Sequence, residues 1–241
     1  MHFRKTILSI IACSLICFTS LAQKEVVDNN GPYIGVTGGL GVPFGEFGGS
    51  SGSGIYTGEF AQIGMAWNVT ASYPLYKGLH AILNAGYNYN KFNLSAYVAQ
   101  LPEGNNIATS ATAYNAENLL AGLGYMFLAN NKLSIDIKLV AGGFLFSTPD
   151  VQYYKIAGRG DYNILSASKI TVAIKPSFDV LYNLSSKLNC VLDLTLLYSQ
   201  FSISTTELYG YAPSWISNTG SNSITVSMFE ASLGINYKLG N

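Results

Sequence analysis

Ser223-Ile224-Thr225-Val226-Ser227-Met228-Phe229-Glu230-Ala231-Ser232-Leu233-Gly234-Ile235-Asn236-Tyr237-Lys238-Leu239 is the stretch whose reading decides the fold. From Thr225 onward one set of alternate residues is Thr225, Ser227, Phe229, Ala231, Leu233, Ile235, Tyr237 and Leu239. The other set carries Glu230, Ser232, Gly234, Asn236 and Lys238. A period of two, apolar on one side and polar on the other, is a β-strand with one wet face and one greasy face.

The same alternation recurs up the chain. A first strand over residues 32–42 places Ile34, Val36, Leu40 and Val42 on one face, and a second over 59–73 places Ile63, Met65, Trp67, Val69 and Tyr73 there. A third is the cleanest: Leu79, Ala81, Leu83, Ala85, Tyr87 and Tyr89 against His80, Asn84, Gly86, Asn88 and Asn90. Further strands are expected over 114–128, from Leu133, over 168–182 and over 189–199, before the closing strand. Gly142-Gly143 predicts a bulge, because Phe144 and Phe146 break the parity set by Leu133, Ile135, Ile137 and Leu139. Pro176 weakens the ladder locally, since it offers no donor.

Eight strands result, and their connections alternate long and short. Residues 43–58, 93–113, 147–167 and 204–222 are long and rich in Gly, Ser, Asn and Tyr, and read as loops. The connections at 74–78, 129–131 and 183–186 are short. This order predicts an all-β fold, an eight-stranded antiparallel up-and-down transmembrane β-barrel with short periplasmic turns and four long extracellular loops. About ten tilted residues cross the apolar band of a bilayer, and each strand is long enough. Tyr73, Tyr76, Phe127, Tyr182 and Tyr237 fall at the short-turn ends, and Tyr87, Tyr89, Tyr198 and Phe201 at the long-loop ends, as two aromatic girdles would.

Composition agrees. Of 241 residues 49% are hydrophobic and 11% charged, yet no apolar run after the N-terminus approaches the ~20 residues of a membrane helix. The 13 Lys plus Arg balance the 13 Asp plus Glu without a clustered basic face, which argues against nucleic acid. Residues 1–22 read as a signal peptide: Arg4 and Lys5, an apolar run, then Ser20-Leu21-Ala22. Residues 23–31 form a short periplasmic leader and 32–241 the barrel. Cleavage removes Cys13 and Cys17 and leaves Cys190 alone, so no internal disulfide is expected.

Tyr33-Ile34-Gly35-Val36-Thr37-Gly38-Gly39, Tyr73-Pro74-Leu75, Glu117-Asn118-Leu119-Leu120-Ala121-Gly122-Leu123-Gly124-Tyr125 and Gly234-Ile235-Asn236-Tyr237-Lys238-Leu239 carry a resemblance to the porin-family outer-membrane β-barrel domain of Bacteroidetes, akin to eight-stranded OmpA- and OmpX-like barrels. Ser232, Gly234, Tyr237 and Leu239 resemble the C-terminal signal of such proteins. The resemblance implies the cell outer membrane, both termini periplasmic, contact with outer-membrane lipid and insertion by the barrel-assembly machinery.

Inward parity gathers Asp136, Lys138, Lys175, Asp179, Asp193 and Glu230. The lumen of eight strands is just wide enough for side chains to fill, so these charges are expected to pair as a plug. No catalytic residue, cofactor or metal is expected. His80 is the sole histidine after the signal, with no adjacent nucleophile, and Cys190 lies on the apolar face. The expected role is structural or one of surface interaction, with any extracellular ligand met by the four long loops. A narrow porin for small solutes and a secreted lipocalin-like barrel are the alternatives; the latter requires a polar exterior.

Overall fold

The computed structural model describes residues 31–49, 60–99, 108–156, 160–211 and 214–239. The expected signal peptide, its expected cleavage site and most of the expected leader lie outside them. Eleven strands are present among the described residues: β1 (Tyr33–Pro43), β2 (Gly64–Tyr76), β3 (Leu79–Lys91), β4 (Ala108–Ala111), β5 (Ala113–Leu128), β6 (Leu133–Ser147), β7 (Val151–Ile156), β8 (Gly160–Leu165), β9 (Ser168–Asn183), β10 (Leu188–Tyr211) and β11 (Ser214–Lys238). A short helix, α1 (Leu94–Val98), follows β3; Asn93 caps it by accepting from the Ala96 amide.

β11 pairs antiparallel with both β1 and β10, which closes the order β1-β2-β3-β5-β6-β9-β10-β11 into a ring. The fold is therefore an eight-stranded antiparallel β-barrel. Closure gives every wall strand a partner on both sides, although the β9–β10 ladder ends at Ile174 opposite Tyr198, and the twist of each strand supplies the curvature. Along β3, β5, β6 and β10 apolar residues such as Leu83, Leu123, Leu139 and Leu196 stand exposed outside, while the alternate residues are buried within.

Several boundaries depart from the sequence reading. β2 runs on through Pro74 to Tyr76, with a register shift there, and Lys77-Gly78 make the turn, both at positive φ. Gly142-Gly143 form no bulge: β6 pairs with β5 and β9 without a break, opposite Leu120 and Leu119 on one side. Phe144 and Phe146 therefore face inward with Asp136 and Lys138. Phe201 likewise points into the lumen, one residue out of parity with Tyr198, and belongs to no girdle.

Three segments expected to be loops are largely structured. Residues 93–113 contain α1 and β4, residues 147–167 contain the hairpin β7-β8, and residues 204–211 and 214–222 continue β10 and β11 past the wall, paired up to Tyr211 opposite Ser214. The pairing β10-β8-β7-β4 makes a small sheet at this end, and Phe60, Tyr97, Val151 and Ile164 form a second core beneath it. On β10 the alternation survives past the wall, with Ile203, Thr205 and Glu207 buried between more exposed neighbours, but Thr and Glu do not read as an apolar face, so composition alone did not separate it from a loop. In the first of the four segments, residues 44–49 turn back on themselves and bury Phe47.

Candidate functional site

The polar interior lies in two tiers. In the one nearer the short turns, Lys138 on β6 donates to Asp179 on β9, and His80 on β3 meets Asp136 on β6 at 3.1 Å through Nε2. Tyr33 Oη on β1 lies 3.4 Å from the same Asp136 oxygen, and Asp193 on β10 accepts from Thr195 Oγ1. Asp179 stands opposite Asp136 on one side and Asp193 on the other. Three neighbouring strands thus carry a row of carboxylates.

His80 fits because β5 has no side chain beside it. A Cβ on Gly124 would lie 2.4 Å from His80 Nε2. Its Nδ1 is 3.1 Å from the Gly78 carbonyl oxygen. Both ring nitrogens face acceptors, an arrangement satisfied when both carry protons.

The second tier is centred on Glu230 of β11, which is fully buried. Its two oxygens accept from Asn68 Nδ2 and Asn88 Nδ2, each at 3.1 Å, and Lys175 Nζ lies 3.0 Å from Oε2. Lys175 also donates to Asn68 Oδ1 at 2.7 Å. Gly86 makes room for this group: a Cβ there would meet Asn68 Oδ1 at 2.5 Å. Every charge in the tier is neutralised and hydrogen-bonded, the condition under which a buried ion pair is tolerated.

All six sequence-predicted lumen charges are buried, five of them held in these contacts by a partner of opposite charge or, for Asp193, by a hydroxyl, and Asp136 by His80 and Tyr33. Sequence reasoning did not single out Tyr33, Asn68 or Asn88. Parity already placed the two asparagines inside; what it lacked was the cross-strand register that brings them to Glu230. Of the four residues assigned to the insertion signal, Tyr237 and Leu239 are exposed outside and Ser232 is buried inside.

Above Glu230 the filling changes character. Leu120, Val140, Phe144, Phe146, Leu197, Phe201, Ile203, Ile224, Val226 and Met228 are buried together, and Phe47 closes over them, edge-on to Tyr114 at 5.2 Å and Phe146 at 5.8 Å. The polar lumen expected from sequence thus occupies the short-turn half, while hydrocarbon fills the other. At the short-turn mouth a cleft of about 400 Å³, bordered by Tyr33, Ser72, Lys77 and His80, ends against the first tier.

The wall, the two tiers and the apolar cap make a barrel that is filled across its width. Solved structures of similar build exist. Neisserial surface protein A is 12% identical, with 86% of this chain and 97% of that one covered and a TM-score of 0.48. Ail, the attachment invasion locus protein of Yersinia pestis, is 11% identical over 87% and 99% with a TM-score of 0.46. A major outer membrane protein from Thermus thermophilus is 14% identical over 86% and 98%, with a TM-score of 0.45. No family model and no curated protein matches the chain. Among the described residues no His, Cys, Asp and Glu side chains are grouped to hold a metal ion.

Proposed function

We propose that the chain is a non-enzymatic outer-membrane β-barrel with a structural or surface-interaction role, its short turns and both termini periplasmic and its long connections outside. The observation that carries this reading is the outer wall. Val36, Leu83, Leu123, Leu139, Leu233 and Ile235 stand exposed around the ring, with Tyr73, Tyr125, Tyr182 and Tyr237 toward the short-turn end and Tyr87, Tyr89 and Tyr198 toward the other. A continuous apolar belt of that height, bordered by aromatic rings, has its solvent in lipid. It also counts against a water-borne lipocalin-like barrel.

The interaction surface we favour is the blade formed by β10 and β11 beyond the wall. β1 accompanies β11 only up to Met228 opposite Pro43, and among the described residues no strand pairs with the same side of β11 above it. Ser217–Ser223 are exposed wherever their side chains are described, and they carry no charge or proline to discourage an added strand. Membrane fractionation with protease applied to intact cells tests compartment and topology together: cleavage confined to the long connections is expected, and cleavage at 129–131 or 183–186 would reverse the orientation. In planar bilayers the filled lumen predicts no steady conductance, and openings that vanish on changing Glu230 would favour the narrow-porin alternative.

A further inference from the structure

The ladder between β9 and β10 does not run the height of the wall. The two strands pair from Asn183 opposite Asn189 up to Ser177 opposite Thr195, are interrupted at Pro176, and meet for the last time at Ile174 opposite Tyr198. Pro176 has no N–H to give β10, while its pairing position opposite Leu139 of β6 is kept. Above this point β9 continues to pair with β6, whereas β10 turns to β8 at Thr206 to Gly210. Residues 168–173 and 199–205 therefore flank a stretch of wall with no backbone pairing. A side chain bridges it: Ser199 Oγ donates to the Val172 carbonyl at 2.8 Å.

Both sides of this stretch are apolar. Outside, Ile170 and Val172 are 75% and 67% exposed, level with the upper part of the belt. Inside lie Ala173, Phe201 and Phe144, the last two with ring centroids 6.5 Å apart. The ring that fills the chamber behind them comes from a turn and not from the wall: Phe47 sits between Gly45, at a φ of +62°, and the pair Gly48-Gly49. Along the barrel axis the chamber ends on the Lys175–Glu230 tier, which hydrocarbon cannot enter without uncovering buried charge. The apolar way out is sideways.

We propose that this aromatic chamber is a binding site for one alkyl chain or small aromatic ring, for which the Phe47 side chain stands in, and that the unpaired stretch between β9 and β10 is a lateral passage from the chamber to the acyl chains of the bilayer. The proposal rests on the membrane reading above. The Phe/Leu/Ile/Met lining selects for apolarity and offers no charge to a polar head group. Displacement of Phe47 gives up the two edge-on ring contacts it makes with Tyr114 and Phe146, which a bound chain of equal area replaces.

The test uses the mature chain folded into phospholipid vesicles with a photoactivatable fatty acid bearing a diazirine in its chain, the cross-linked residues being mapped by mass spectrometry. Labelling is expected at belt residues such as Leu83 and Leu123 and also at lumen-facing Phe144, Phe146 or Phe201. The lumen share should rise severalfold in Phe47→Ala, with Phe47→Leu as the milder variant should the first fail to fold. Ala173 and Ser199 come next above the last pair; Ala173→Cys and Ser199→Cys, joined by a disulfide in a Cys190→Ser background, should cut it severalfold. Belt labelling with an unlabelled lumen in both the wild type and the Phe47 variants overturns the binding site. Lumen labelling indifferent to the disulfide overturns the passage, and an unlabelled belt overturns the membrane reading itself.

Discussion

Lys175 Nζ and Glu230 Oε2 lie 3.0 Å apart although β9 and β11 are not neighbours, since β10 stands between them. The pair braces three staves from inside, and Asn68 and Asn88 tie it to β2 and β3. Removing one partner leaves the other charged and buried. Glu230→Ala is therefore expected to cost about 3–5 kcal/mol, measured by urea unfolding of the refolded barrel. Adding Lys175→Met should recover most of that loss, because the stranded charge goes with it.

His80 and Gly124 make a second coupled pair. A methyl on Gly124 would overlap His80 Nε2, and the ring is held on its other side by the Gly78 carbonyl. Gly124→Ala is expected to destabilise the barrel by about 1–3 kcal/mol in the same unfolding assay. In a His80→Ala background most of the penalty should disappear, leaving the lesser crowding against Ile82 Cδ1 at 2.8 Å; a penalty of equal size in both backgrounds would mean that the glycine serves the backbone and not the ring.

Much of the barrel was legible because alternation is a direct imprint of a wall between two solvents. Leu83 against Asn84, or Leu194 against Asp193, needs no knowledge of partners. The failures came where that contrast is absent. Phe144, Phe146 and Phe201 sit on inward parity, and the assumption that apolar means outward turned a regular strand into a bulge and a lumen ring into a girdle. Near the long-loop end the interior is itself hydrocarbon, so hydrophobicity no longer distinguishes inside from outside. Phe47 left no signal at all, being one ring in a glycine-rich turn whose destination depends on strands far away in sequence. The Lys175–Glu230 group was half legible: parity placed its members, and only register could join them.

Beyond the wall, Glu207 on β10 is largely buried, and desolvation pushes its carboxyl up from the ordinary value. The folded chain then holds a proton at pH values where the unfolded chain has released it. Its contribution is complete below the unfolded value and is lost as pH rises through the folded one. Glu207→Gln is expected to remove this part of the pH dependence, read as a flatter stability profile above the ordinary glutamate value of about 4.3 than that of the wild type. Parallel profiles would place the titration elsewhere.

Which side of the wall meets lipid decides every functional reading above, and Trp67 reports on it directly. It stands on β2 with 54% of its surface exposed, in register with Gly38 and Tyr87, and the chain has 2 tryptophans, so Trp215→Phe leaves it alone. Its fluorescence should be quenched strongly by phospholipids brominated in their acyl chains and scarcely by aqueous iodide, once the barrel is folded into vesicles. Free access to iodide with no quenching by the brominated chains would contradict the orientation of every strand described here.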